Sequence, residues 1–244
     1  MGNHNSSLSG KKVIVLGGTS GLGHAAAKAA ALEGANVSVV SSNQQRIDQT
    51  LKTLPDGSTG YAVELSKESN IKSVFNTIGK FDHLVYTAGE NISLNTIHEM
   101  NIEQAREFFT LRYWGALAAV KYGMPHINQG GSICLTSGIA STRPGKGWAL
   151  ASSICGAMEG LVRALAVELA PIRVNSVVPG VVKTNLWNSM TPADRENLYT
   201  SVGDALLVKR VGEAEDIAQA FIYLMKQQFG TGQNIVIDGG AVLV

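Results

Sequence analysis

Short apolar runs alternate along the chain with longer segments in which apolar residues recur at helical spacing. The apolar runs cover residues 12–16, 35–40, 59–65, 83–87, 131–136, 173–178 and 234–237. The helical spacing covers residues 22–34, 68–79, 103–122, 148–169 and 215–227. Apolar strands that alternate with helices indicate a parallel sheet covered on both faces. We therefore predict an α/β fold of the Rossmann type, a doubly wound seven-stranded parallel sheet in a single domain.

Two segments depart from this alternation. Residues 183–210 are mostly polar and contain Thr191-Pro192, so we expect a mobile substrate lid around residues 184–210. The first ten residues are polar, and we expect residues 1–10 to form a flexible tail before a single domain over residues 11–244. Met1 to Ser6 also match the short N-myristoylation pattern, to which a plain polar tail is the alternative.

Composition excludes several classes of protein. The 244 residues include 20 basic and 19 acidic side chains, for a net charge of +1, which is not the basic footprint of a nucleic-acid binder. The two cysteines, Cys134 and Cys155, form no metal or disulfide motif, so we expect neither. Because we find neither a signal peptide nor an 18-residue apolar run, we expect a cytoplasmic protein with no membrane partner.

Glycine is in excess, with 27 residues, about 11% against a usual ~7%. Three of these glycines, Gly17, Gly21 and Gly23, follow the first apolar run and open the first helical segment. Glycines so placed allow a tight turn and let bare backbone approach a pyrophosphate at a helix N-terminus. We therefore predict a dinucleotide-binding loop formed by the residues between the strand and the helix: Gly17, Thr19, Ser20, Gly21, Leu22 and Gly23.

The end of the second strand indicates which dinucleotide is bound. An NAD site usually has a carboxylate there for the ribose 2′-OH, but this chain has Ser41, Ser42, Asn43 and, three residues on, Arg46. Hydroxyl, amide and guanidinium groups suit a 2′-phosphate, so we predict that NADP(H) is preferred over NAD(H). The alternative is that these residues only cap the next helix.

With these motifs, the sequence resembles the short-chain dehydrogenase/reductase superfamily over nearly its whole length. The glycine loop matches the family pattern, although Leu16 stands where threonine is usual and Tyr86-Thr87 replaces two asparagines. The resemblance implies further cofactor contacts at matching motifs: Glu64-Leu65 at the adenine, Ala88-Gly89, and Pro179, Gly180, Val182 and Thr184 in the loop that receives the nicotinamide. Residues 237–240 also match the family pattern near the C-terminus.

The resemblance fails at the catalytic residues. Family members usually carry an Asn-Ser-Tyr-Lys tetrad, in which the tyrosine is the general acid or base. At these positions the chain has Arg112, Ser137, Ala151 and Cys155. Alanine does not ionise, and a thiol of ordinary pKa does not replace a cation. We predict that Arg112 and Ser137 are the catalytic residues, with Arg112 stabilising negative charge or holding a substrate oxygen; a structural ion pair of Arg112 is the alternative.

The substrate pocket is expected to include Lys146, Trp148 and Trp187. Trp148 would form an apolar wall, and Trp187 would close over the ligand or, equally, pack on the core. Solvated surface is the favoured alternative for Lys146. No metal site is predicted. The helical segments 103–122 and 148–169 carry small and apolar residues around their surfaces, and we expect a homodimer or homotetramer through them.

Two functions fit this combination of residues. The first is an atypical NADP(H)-dependent reductase that transfers hydride to an electrophilic C=N or C=O carbon of a small molecule, an iminium among them. The second is a cofactor-binding protein without redox activity: a pseudoenzyme, a cyclase that uses NADP(H) as a scaffold, or a regulatory sensor. Retention of Ser137 and of the nicotinamide loop favours the first.

Overall fold

The central sheet has seven parallel strands, as the sequence predicts. The computed structural model of the protein describes residues 8–92 and 94–244. The strands of the sheet are β1 (Lys12–Leu16), β2 (Asn36–Ser41), β3 (Thr59–Ala62), β4 (Phe81–Tyr86), β5 (Ile127–Thr136), β6 (Arg173–Pro179) and β9 (Asn234–Ile237); β7 (Val182–Lys183) and β8 (Gly212–Glu213) form a separate pair. The strand order is β3-β2-β1-β4-β5-β6-β9. The order reverses beside β1, and ligands bind at such a switch point in open α/β sheets.

Helices cover both faces of the sheet. They are α1 (Gly21–Leu32), α2 (Gln44–Leu51), α3 (Glu68–Ile78), α4 (Ile102–Phe109), α5 (Ala116–Gly123), α6 (Ala149–Glu168), α7 (Pro192–Ala205) and α8 (Ala214–Lys226). Because side chains of a strand alternate between faces, β1 sends Ile14 and Leu16 into the core under α3, α5 and α6. Val13 and Val15 enter the other core, under α1, α2 and α8.

The helix predicted over residues 103–122 is interrupted. It consists of α4, a π-helical turn at Thr110–Gly115, and α5. A Cβ atom on Gly115 would collide with the hydroxyl of Tyr86, so glycine lets this turn lie against β4. Turns of this kind often occur at functional sites, and this one contains Arg112.

Residues 184–210, expected to form a lid, contain a helix. Thr191 precedes α7 and caps it, since the backbone N–H of Asp194 donates to the Thr191 hydroxyl at 3.2 Å. Among the residues of α7 only Gly203 is buried. That weak burial explains why the apolar pattern did not reveal the helix. The mobility of the segment stays a prediction.

Residues 8–10, which were expected to belong to a flexible tail, pack against the domain. Leu8 is buried among the residues of α1 and β1, and the backbone N–H of Gly10 donates to the carbonyl of Gly34 at 3.0 Å. Leu8 is therefore part of the packed domain, because this apolar side chain has a place in the core. Residues 1–7, with the myristoylation pattern, lie outside the described residues.

One helix within the described residues, α6, is long and apolar enough to cross a membrane by length and composition. This is weak evidence for a membrane, because a helix that packs on a protein core passes the same test. Met158 and Val162 of α6 are buried in the core shared with β6. The cytoplasmic location stays a prediction.

Candidate active site

The loop between β1 and α1 brings backbone close to the switch point. Gly17 has a φ of +86°, and a Cβ atom there would lie 2.6 Å from the backbone nitrogen of Ala88. Ser20 is extended and precedes the helix, which begins at Gly21. The first N–H groups of a helix have no partner within it, so the N-terminus of α1 can bind an anion at this loop.

A polar groove of about 550 Å³ lies along the carboxyl ends of the strands, beside this loop. Fourteen of the predicted cofactor residues line it: Gly17, Thr19, Ser20, Gly21, Leu22, Ser41, Ser42, Arg46, Glu64, Leu65, Ala88, Gly89, Pro179 and Thr184. These fourteen residues come from five separate segments of the chain, and the polar lining of the groove suits a dinucleotide.

Four predicted cofactor residues are not among the residues that line the polar groove. Gly23 lies behind the loop, where a Cβ atom would collide with the carbonyl of Gly17. Gly180 lines the neighbouring cavity instead. The Val182 side chain is buried in the core, and its carbonyl accepts a hydrogen bond from Trp187 at 2.9 Å. Asn43 caps α2, because its side chain accepts from the backbone N–H of Arg46 at 2.9 Å.

The end of the polar groove at β2 is formed by hydroxyl groups and one cation. The hydroxyl of Thr19 donates to that of Ser41 at 2.9 Å, which ties the glycine loop to β2. Ser42 and Arg46 are exposed and line the groove. The capping alternative therefore holds for Asn43, whereas Ser41, Ser42 and Arg46 line the groove.

An apolar cavity, also of about 550 Å³, adjoins the polar groove. Trp148 and Trp187 form one wall, with ring centroids 6.4 Å apart. Trp187 is also a core residue, 3% exposed, so its ring is fixed rather than free to close over a ligand. Lys146 is exposed and is not among the residues that line the cavity, which corrects its assignment to the substrate pocket.

The two cavities meet at residues that line both: Arg112, Ser137, Pro179 and Leu186. Arg112 comes from the π-helical turn, Ser137 and Pro179 from the ends of β5 and β6, and Leu186 from the short turn Asn185–Trp187. A ligand in the polar groove and a ligand in the apolar cavity would touch each other at this junction.

Arg112 is held at the junction by several contacts. Its Nη2 atom donates to the carbonyl of Glu90, and its guanidinium carbon lies 4.7 Å from the centre of the Phe108 ring. Burial lowers the pKa of Arg112, and the nearby Glu90 carboxylate opposes that shift. The Nε atom is buried and has no hydrogen-bond partner among the described residues. A buried donor of this kind has a free-energy cost unless a ligand satisfies it.

The other three tetrad positions, Ser137, Ala151 and Cys155, provide no general acid to replace the family tyrosine. Ser137 donates from its hydroxyl to the carbonyl of Cys155 at 3.1 Å. Burial raises the pKa of the Cys155 thiol, so it stays protonated near neutral pH. Ala151 lines the apolar cavity together with Cys155. Where the family usually has tyrosine and lysine, this cavity has a methyl group and a thiol.

Three residues of the site were not predicted from the sequence. Thr87 lines the polar groove and donates to the carbonyl of Leu16 at 3.1 Å, which joins β4 to β1. Leu186 belongs to the junction, and Arg143 lines the apolar cavity. Thr87 was visible as a departure from the family asparagine. The direction in which a loop side chain points, as at Arg143, cannot be predicted from the sequence.

The fold and the paired cavities define an oxidoreductase of the dinucleotide-binding type. A family model described as an SDR-like Rossmann domain matches residues 4–244, and the chain belongs to the short-chain dehydrogenase/reductase family. Short-chain dehydrogenase/reductase ATR9 of Stachybotrys chlorohalonatus is 34% identical, over 97% of this chain and 98% of that protein. Short-chain dehydrogenase/reductase malC of Malbranchea aurantiaca is 30% identical, over 97% and 96%.

Solved structures agree with this assignment. A small-chain dehydrogenase in complex with NADPH superposes with a TM-score of 0.86 at 37% identity, and the match covers 97% of this chain and 100% of the other. The structure of MalC reductase/Diels-Alderase from Malbranchea aurantiaca gives a TM-score of 0.90 at 28% identity, over 98% and 99%. The protein is therefore an oxidoreductase of the short-chain dehydrogenase/reductase family.

Proposed function

We propose that the protein is an NADP(H)-dependent reductase that adds hydride to an electrophilic C=N or C=O carbon without a tyrosine–lysine relay. The observation that carries this proposal is the junction, where Arg112 and Ser137 line both the polar groove and the apolar cavity. A cofactor in the groove and a substrate in the cavity would meet beside these two side chains.

The polar groove suits the cofactor because the glycines of its loop have no side chains, so a pyrophosphate could approach the backbone. The N-terminus of α1 with Thr19 and Ser20 would hold the pyrophosphate, and Ser41, Ser42 and Arg46 would hold the 2′-phosphate. Leu65 would lie against the adenine. A bound reduced nicotinamide supplies the hydride. The preference for NADPH over NADH is supported by the cation Arg46 and by hydroxyl groups where an NAD site usually has a carboxylate.

Arg112 is the residue that would stabilise negative charge on the substrate oxygen. When hydride adds to a carbonyl carbon, the π bond breaks and its electron pair moves to oxygen, which becomes anionic. Arg112 lines the junction, so its guanidinium would be a donor for that oxygen, and such preorganised donors stabilise a developing anion. The alkoxide then takes its proton from water, since Ala151 offers none.

An iminium substrate removes the need for a proton. Hydride addition to its carbon moves the electron pair of the π bond to nitrogen, and the product is a neutral amine. For either substrate, Ser137 is a positioning group at the junction, where its hydroxyl can turn from the Cys155 carbonyl toward a ligand.

The second candidate is a cofactor-scaffolded catalyst or sensor without hydride transfer. Ala151 and Cys155 favour it, because they remove the usual acid and base from an otherwise intact site. MalC, to which the chain is similar, is described as both a reductase and a Diels-Alderase. An apolar cavity of about 550 Å³ would also suit the folding of a substrate before ring closure.

An assay of cofactor binding and consumption separates the two candidates. The purified protein is titrated with NADPH and with NADH, and nicotinamide absorbance is then followed with imines, enones and ketones. The proposal expects tighter binding of NADPH and its oxidation by at least one substrate class. Tight NADPH binding with no oxidation by any of them would support the scaffold function instead.

We also propose a homo-oligomer, a dimer or tetramer, that packs through the helical segments 103–122 and 148–169. Gly156 and Gly160 of α6 have open space where a Cβ atom would stand, and Val167 is 81% exposed. A second copy of the chain could pack closely on such a surface. Gel filtration coupled to light scattering tests this: a dimer or tetramer supports it, and a monomer at micromolar concentration overturns it.

A further inference from the structure

The charged side chains that line the apolar cavity are all positive. Two arginines, Arg112 and Arg143, are among the residues that line it, whereas no aspartate or glutamate side chain is, within the part of the chain that the structure describes. The other lining residues are apolar or small, with the two tryptophans as the largest. The side chains that line the cavity therefore offer two cations to a ligand and no carboxylate, while the main chain of the last residue, Val244, also borders it.

Arg143 has a fixed backbone and an unengaged side chain. Its backbone N–H donates to the carbonyl of Ile139 at 2.7 Å, and the short turn before it is tied to α6 by the Ser152 hydroxyl, which donates to the Ala140 carbonyl at 2.7 Å. The guanidinium is exposed and makes no hydrogen bond or ion pair with any residue in 8–92 or 94–244. Its charge is thus available at the cavity.

From these charges we infer an anion subsite at Arg143, which selects substrates that carry a carboxylate or another acidic group. The inference rests on the proposed function and narrows its substrate class. The apolar body of the substrate would lie against Trp148 and Trp187, its reducible carbonyl at Arg112, and its acidic group at Arg143. A guanidinium binds a carboxylate through two parallel hydrogen bonds.

The same charges disfavour a cationic iminium. Such a substrate would leave water for a cavity that holds two guanidinium groups, and no carboxylate side chain among the described lining residues would offset the repulsion. Tryptophan rings attract cations, but both rings here share the cavity with the arginines. Within the proposed C=N and C=O substrates, the subsite thus favours a carbonyl compound.

Equilibrium binding of matched probes tests the subsite. Naphthoate, naphthalenemethanol and naphthylmethylammonium share one aromatic body and differ in charge, and each is titrated into protein saturated with NADP+ while tryptophan fluorescence is followed. We expect naphthoate to bind about tenfold tighter than the alcohol, and the ammonium to bind more weakly than both. Equal or tighter binding of the ammonium would overturn the inference.

Two variants test whether the preference for naphthoate depends on Arg143. Arg143→Gln should lower naphthoate affinity about tenfold and leave the affinity for naphthalenemethanol unchanged. Lys146→Gln removes a nearby exposed cation that is not a lining residue and should change neither affinity. An unchanged naphthoate affinity in Arg143→Gln, or an equal loss in Lys146→Gln, would contradict a subsite at Arg143.

The outcome of this experiment is independent of turnover. A naphthoate preference in a protein that oxidises NADPH with no substrate would leave the subsite standing and overturn the proposed reductase function. Reduction of carbonyl compounds or iminium ions without any preference for anionic probes would uphold the reductase and overturn the subsite.

Discussion

Arg112 lies directly against Gly89, since a Cβ atom on Gly89 would stand 2.8 Å from Nη1 of Arg112. Gly89 and Arg112 both line the polar groove, and Arg112 belongs to the π-helical turn. A glycine that the family pattern assigns to cofactor binding therefore also makes room for the guanidinium. This contact fixes where the positive charge stands relative to a bound nicotinamide.

Replacing Arg112 tests its role in the reaction. Because the guanidinium stabilises charge that develops in the transition state, Arg112→Ala should lower kcat about 10²-fold or more. NADPH affinity should stay close to that of the wild type, since the phosphate contacts lie elsewhere in the groove. Steady-state kinetics and an NADPH titration measure both; an unchanged kcat would remove Arg112 from the mechanism.

Gly89→Ala should act through Arg112. The added methyl group meets the end of a flexible side chain rather than backbone, so it should displace the guanidinium and lower kcat. If so, the double variant Gly89→Ala/Arg112→Ala should be no slower than Arg112→Ala alone. Losses that multiply in the double variant would mean that Gly89 acts on the cofactor independently of Arg112.

The preference for NADPH should depend on Arg46. Arg46→Ala should lower NADPH affinity about tenfold or more, because a charge-assisted contact to the 2′-phosphate is lost, while NADH affinity stays the same. Asn43→Ala is the matched control: it removes the cap of α2 and should lower the free energy of unfolding by about 1 kcal/mol without changing the ratio of the two affinities. Equal weakening of NADPH and NADH in Arg46→Ala would contradict the assignment.

Cys155 should be chemically inert in the folded protein. Burial raises the pKa of its thiol, so the nucleophilic thiolate is scarcer at a given pH than in an unperturbed cysteine. At neutral pH, iodoacetamide should label Cys155 more slowly than it labels glutathione, and Cys155→Ala should retain turnover. Fast labelling that abolishes activity would show instead that the thiol takes part in the reaction.

Most of the sheet could be predicted because its inner strands, such as β1, β4 and β6, are buried on both faces and contain short apolar runs. The start of β5 was misplaced, since Asn128, Gln129 and Gly130 are exposed and polar. The helix α2 was missed for a related reason: Ile47 and Thr50 are its buried residues. A short helix with so small a buried face leaves little periodicity in the sequence.

The predicted site was most accurate where backbone shape decides the residue. Gly17 follows from a positive φ and a close approach that exclude other residues, so a sequence pattern marks it. Lys146 and Asn43 were assigned by their chemistry alone, but one points to solvent and the other caps a helix. Arg143 was missed because the direction of a loop side chain is set by tertiary packing, here by the turn tied to α6.

Hydride transfer itself tests the central claim most directly. The protein is supplied with NADPH that carries deuterium in place of the transferable hydrogen, together with a carbonyl or imine substrate that it consumes, and the product is analysed by mass spectrometry. We predict that the product gains one deuterium on the reduced carbon for each NADPH oxidised. A product that forms without deuterium and without loss of NADPH would contradict the reductase and identify the bound cofactor as a scaffold.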